Sequence, residues 1–222
     1  MDWPALTLSL KLAAWTTLLL LPLGVLAARW LAWSTFPARP WVEGVLALPL
    51  VLPPTVLGYY LLVFLGAGSL PGQWYEAAFH RPLVFTFEGL VLASIVFNLP
   101  FSIQPMQRAF EAIGADVRDA AACCGMTRWR AFLRVELPLA WPGIVSAMVL
   151  TFAHTLGEFG VVLMVGGSIP EETRTISIAI YDRVQAMDTA AAGMMSAALL
   201  AFTLVAMVIV YSTAPRVGRR RG

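Results

Sequence analysis

Charge is what this 222-residue chain has least of: 13% of its residues are Asp, Glu, Lys or Arg, against roughly a quarter in an ordinary soluble domain. With 59% hydrophobic residues, it carries more apolar surface than a soluble core can absorb. Lysine is nearly missing. Of 15 cationic residues only Lys11 is a lysine, and it sits between Leu10 and Leu12. A phosphate-cradling P-loop requires Gly-Lys followed by Ser or Thr, so nucleotide hydrolysis by that route is excluded and ATP-driven work requires a partner. Cysteine is limited to the adjacent pair Cys123 and Cys124, strained as a disulfide and too few for a metal cage. There is no Gly-x-Ser-x-Gly run, and His154 with a neighbouring Ser or Thr is the only nucleophile-and-base material for an intramembrane enzyme.

What is abundant is apolar sequence in runs of about 20 residues, the length that crosses a bilayer as helix. Five such runs predict an all-α polytopic membrane protein with one domain: residues 4–28, 42–65, 89–106, 142–165 and 190–211. An odd count puts the termini on opposite sides. With the N-terminus external, the internal segments hold Arg29, Arg39, Arg108, Arg118, Arg128, Arg130, Arg134, Arg216, Arg219, Arg220 and Arg221. The external loops hold only Arg81, Arg174 and Arg183. This bias places the C-terminus in the cytoplasm. The first span is too long for a cleaved signal and is read as retained. The basic tail after Arg216 reads as a headgroup anchor, with no nucleic-acid role.

The long internal segment, residues 107–140, holds five arginines and four acids in a chain otherwise nearly free of charge. Asp116, with Asp119 three residues on, has the spacing of a capping box. Gly125 supplies the left-handed position that ends a short helix, and Thr127 caps a second one that Pro138 is expected to stop. Ala120, Ala121 and Ala122 give the first helix a small-residue face, open to close approach by another protein.

Asp119-Ala120-Ala121, three residues, Gly125, nine residues, then Val135-Glu136-Leu137-Pro138 resembles the EAA loop of permease subunits in bacterial ABC importers, EAA-x3-G-x9-I-x-LP. Asp for Glu and Val for Ile are the departures. The likeness covers nearly the whole chain. Leu48 through Pro54 with Gly58-Tyr59, Leu156-Gly157-Glu158-Phe159-Gly160, and Ile169 through Thr175 resemble molybdate permeases, with sulfate/thiosulfate permeases as near relatives. The resemblance implies a five-span importer permease, a homodimer in the bacterial cytoplasmic membrane. It also implies two ATPase subunits docked on the coupling loop and an extracytoplasmic molybdate-binding protein that meets the outer loops, residues 66–81 and 166–188. No cofactor is then bound by this chain; the partner ATPase uses ATP and Mg.

Polar groups and helix breakers within spans are functional candidates by default. Pro49, Pro53, Pro54 and Gly58 predict a broken second span, with Pro53, Pro54, Thr55 and Gly58 at the translocation pathway. In the fourth span His154 and Glu158 stand four apart, predicted to share one helical face with Thr155 beside them, and Thr155 and Glu158 are gate candidates. His-x3-Glu alone is no metal motif. Apart from Lys11 no cation lies within a span, so a dianion would meet a weak path lined by hydroxyls and amides, with Thr16, Thr17, Thr55, Ser102 and Thr155 as candidates. Gly193, Ala197 and Ala201 form a small-residue stripe suited to helix packing. A stand-alone channel or secondary carrier predicts an internal repeat, and none is evident.

Overall fold

The computed structural model describes residues 1–213, with side chains described through Val208. Arg216, Arg219, Arg220 and Arg221 of the expected basic tail lie outside the described residues. Eleven α-helices form among the described residues: α1 (Trp3–Trp33), α2 (Arg39–Val51), α3 (Pro54–Leu65), α4 (Leu70–Phe79), α5 (Phe87–Glu111), α6 (Ala115–Cys123), α7 (Arg128–Ala131), α8 (Leu137–Gly157), α9 (Gly160–Gly166), α10 (Ile176–Gln185) and α11 (Thr189–Thr213). Four helical stretches among the described residues are long and apolar enough to cross a membrane: α1, α5, α7 through α8, and α11. They become five if α2 and α3, bent by 112°, form one span.

Helix α1 starts where Asp2 accepts from the Ala5 amide and Pro4 occupies the first turn, where its missing N–H costs nothing. It packs chiefly on α5 and α8. Small buried residues, Ala28 on α1 and Ala140 and Ala147 on α8, bring the three backbones close around Leu31, Met106, Phe110 and Ile144. This is the core of one end of the bundle. Towards the other end, Leu61, Leu65, Leu83, Val84, Phe97, Val161 and Val165 join α3, α5 and α9 in a second cluster.

The prolines act as expected on the second span, and only where the chain can tolerate it. Pro49 stays within α2, whereas Leu52 and Pro53 adopt extended backbone and the chain turns sharply. Val42 and Leu46 of α2 pack in the first cluster and Leu61 and Leu65 of α3 in the second. The bent pair therefore links the two clusters.

The fourth span departs from its predicted form twice. Its helix begins before residue 142, because Pro138 does not stop it. A π-helical turn, Phe132–Glu136, closes with the Leu137 amide donating to the Phe132 carbonyl, and this wider turn makes room for the proline ring without ending the helix. At the far end the helix stops at Gly157; Glu158 is extended, and α9 restarts at Gly160. Glu158 is thus the residue that closes α8, and it lines one cavity with His154.

Of the ten arginines with described side chains, seven gather at one end. There Arg29 meets Glu136, Arg39 meets Glu43 and Glu111, and Arg118 lies over Trp33, with Arg108, Arg128, Arg130 and Arg134 on the adjoining helix ends.

Helices α3 and α9 cross in contact because Gly58 has no side chain. A Cβ there would stand 2.8 Å from Met164 Cβ and 3.2 Å from the Val161 Cα. Gly58→Ala should therefore lower stability by about 1–3 kcal/mol, the usual range for overpacking, whereas Gly68, with nothing within 4 Å of a built Cβ, should accept Ala without loss. Thermal unfolding of the two variants in detergent checks this.

Candidate functional site

Two helix breaks from different spans meet. The cavity between them, about 540 Å3, is lined by Pro54 and Thr55 from the start of α3, and by His154, Gly157, Glu158, Phe159 and Gly160 from the α8–α9 break, with Phe97 and Ala153 completing the wall. Close approach is again built on glycine: a Cβ at Gly160 would lie 2.7 Å from Pro54 Cβ. A broken helix frees backbone groups that hydrocarbon cannot satisfy, so placing one break against the other at a cavity is the arrangement the bilayer tolerates.

Glu158 is 5% exposed, and neither carboxylate oxygen closes a hydrogen bond among the described residues. The Ser94 hydroxyl and the Val161 and Val162 amides of α9 are the polar groups that face it. His154 is oriented from outside the break. Asn98 donates its side-chain N–H to the Ser94 carbonyl at 2.8 Å, its oxygen pairs with His154 Nδ1 at 2.9 Å, and the imidazole stacks on Phe101 with ring centroids 3.9 Å apart. Asn98 is fully buried and was not singled out by sequence reasoning. An isolated Asn in an apolar run gave the only signal for it.

The expected hydroxyl set does not gather at this cavity. Thr16, Thr17 and Ser102 are buried inside the bundle, and Thr155 turns its hydroxyl onto the Thr151 carbonyl at 2.8 Å. Thr55 alone of that set lines the cavity, with Pro53, Pro54 and Thr55 all exposed on the surface of the single chain. Gly58 sits beneath Met164 as a packing residue. The stripe of Gly193, Ala197 and Ala201 is exposed on α11.

The second site is at the arginine-rich end. Helix α6 carries Asp119 and Ala120 exposed and Ala121 buried. The expected capping box is absent: the helix begins one residue earlier than Asp116, after Gly114, and no side chain caps it. Its end is as expected. Gly125 takes φ +70°, its amide donates to the Ala122 carbonyl, and the Met126 amide reaches the Ala121 carbonyl, the paired bonds of a Schellman turn. Thr127 then caps α7 by accepting from the Arg130 amide. Val135 and Leu137 are half-buried at the π-helical turn, with Pro138 exposed. Cys123 and Cys124 are exposed and free.

Residues 169–175, notable in the sequence only by resemblance, lock the end opposite the arginines. Thr173 donates to the Gly166 carbonyl at 2.6 Å and accepts from the Ile169 amide. Thr175 caps α10, the Ile176 amide reaches Ser9 Oγ on α1, and Arg174 lies between Asp2 and Asp182.

An inner-membrane transport component is the class these features define, and comparison with known families agrees. Residues 21–219 match the family described as binding-protein-dependent transport system inner membrane component, and the chain belongs to it. More particularly, it is 46% identical over 212 residues to the molybdenum transport system permease protein ModB of Azotobacter vinelandii, covering 96% of this chain and 94% of the relative. To ModB of Escherichia coli K12 it is 40% identical over 184 residues, 83% of this chain and 80% of the relative. The sulfate transport system permease protein CysT of Escherichia coli K12 is 32% identical over 197 residues, 89% and 71% of the two chains. Among solved structures, a bacterial alginate ABC transporter in complex with an alginate-bound periplasmic protein superposes with a TM-score of 0.76 at 18% identity, covering 97% of this chain and 79% of that one.

Glu158→Gln keeps the shape of the buried side chain while removing its capacity for charge. Glu158→Leu puts an apolar side chain against the Ser94 hydroxyl and the α9 amides, removing the polar group that they face. The Gln variant should accumulate in the membrane as wild type does, and the Leu variant should not, as measured by membrane yield and size-exclusion profile.

Proposed function

We propose that the chain is the membrane-spanning subunit of an ATP-driven importer of molybdate or tungstate. The observation that carries the substrate class is the 46% identity to a molybdenum permease across almost the whole length of both chains. Sulfate or thiosulfate is the second reading, favoured by the 32% identity to a sulfate permease.

In this reading Asp119, Ala120, Ala121, Gly125, Val135, Leu137 and Pro138 form the element that docks on an ABC ATPase. The positive-inside bias puts the arginine-rich end in the cytoplasm and the N-terminus outside. The chain works as a homodimer. Each copy has one docking helix, two ATPase subunits need two, and the wall formed by Pro54, Thr55 and Gly157 through Gly160 is open on the single chain, as half of a shared pathway is. ATP with Mg, bound by the partner, closes the ATPase pair and moves α6; the spans switch facing, and hydrolysis resets them. Residues 66–81 and 166–188 face a binding protein that delivers the anion. With no cation at the break, the oxyanion passes through a shallow well of amides and hydroxyls, and a shallow well releases its ion.

Uptake into vesicles holding the chain, its ATPase and its binding protein should require ATP and be inhibited by tungstate far more than by sulfate; equal competition by sulfate would transfer the assignment to the second reading. Gly125→Val places a β-branched residue at φ +70°, which costs roughly 1–2 kcal/mol for an L-residue, so the docking turn should deform. Uptake by that variant should fall severalfold at unchanged membrane level, and undiminished uptake would sink the docking role.

A further inference from the structure

Helix α6 hangs between two turns, at Gly114 and Gly125, so its backbone links alone do not hold it rigidly to the bundle. Its side chains do. Val117 packs into the core of the arginine-rich end and Ala121 is 6% exposed. The Arg118 guanidinium lies 4.6 Å from the centre of the Trp33 ring, on the last residue of α1. Trp33 in turn meets the edge of Phe110 on α5 at 5.7 Å.

One turn back on α1, Arg29 reaches across to the π-helical turn that follows α6 and α7. Its Nε lies 2.5 Å from Glu136 Oε2, and its second nitrogen donates to Oε1 at 3.2 Å, a two-pronged pairing. The same guanidinium is 5.2 Å from the ring centres of both Trp33 and Phe132. Glu136 is 5% and Phe132 6% exposed. The π-helical turn is what presents both of them inward to Arg29, since it widens the helix at the residues that the following proline crowds. Glu136 is the only anion in this group of two arginines and two aromatic rings.

We infer that Arg29 and Glu136 are positioning residues, a clamp that makes the α6–α8 elbow and α1 move as one body, so that displacement of α6 is delivered to the spans. The inference rests on the reading of α6 as the ATPase-docking element. Without the clamp α6 follows the ATPase while α1 stays behind, and ATP turnover continues without transport. A merely structural pair has a different signature, because its loss lowers assembly, turnover and uptake together.

The test uses the complete transporter in vesicles, with ATP turnover and anion uptake measured on the same preparation. Glu136→Gln keeps side-chain volume and an acceptor for Arg29, and Arg29→Gln removes the guanidinium. Both should co-purify with the ATPase and retain its turnover within about twofold, while uptake per ATP falls about tenfold, consistent with loss of a charge-assisted pair. The exchanged pair, Arg29→Glu with Glu136→Arg, should recover uptake per ATP above either single variant. Unchanged uptake per ATP in Glu136→Gln, a parallel loss of turnover and uptake, failure to co-purify, or no recovery in the exchange would each overturn the clamp. If Gly125→Val also leaves uptake undiminished, the docking reading has failed; if Gly125→Val blocks uptake and the clamp variants do not, only the clamp has failed.

Discussion

A backbone that leaves its helix within an apolar slab must find partners for the N–H and C=O groups it frees, and the rest of this molecule is arranged around that requirement. Two spans break, at Leu52–Pro53 and at Glu158–Phe159, and the structure sets the breaks face to face across one cavity. Gly58 and Gly160 allow the contact, since a Cβ at either would collide with the other segment. The long helices α1, α5 and α8 remain unbroken and supply the frame. Both breaks border that cavity.

At the arginine-rich end the dominant effect is charge against aromatic surface. Arg29 and Arg118 approach Trp33, Phe132 is shared with Arg29, and Glu136 supplies the negative partner. Guanidinium groups suit this role because the planar fork pairs two-pronged with a carboxylate while its faces lie on rings. Lysine, nearly absent from the chain, offers a point charge and no such plane. At the opposite end hydroxyls carry the ties: Ser9, Thr173 and Thr175 join α1, α9 and α10, and Arg174 lies between two acids. The bundle is thus fastened at both ends and irregular between them.

Much of this was legible in the sequence wherever a local rule dominates. The long apolar runs, the turn at Gly125, the cap at Thr127 and the break at Pro53 follow from hydropathy, a left-handed backbone, a hydroxyl at a helix start and a missing amide. Reading failed where a neighbour decides. Pro138 reads as a stop, yet a π-helical turn absorbs it. Thr16, Thr17, Thr155 and Ser102 are polar groups in apolar runs, and only helix–helix packing, which buries all four, sets them away from the cavity.

By itself the sequence determined an all-α membrane protein, the uneven placement of its arginines, and a short helix–turn–helix between two spans, because these depend on composition and on interactions a few residues apart. Only the tertiary structure decided that the two broken spans share one cavity, that Asn98 holds His154, and that Arg29 clasps Glu136 across 107 positions of chain. Each of these needs residues far apart in sequence to be brought within hydrogen-bond or van der Waals range, and no periodicity or local propensity encodes which distant partner a side chain will meet.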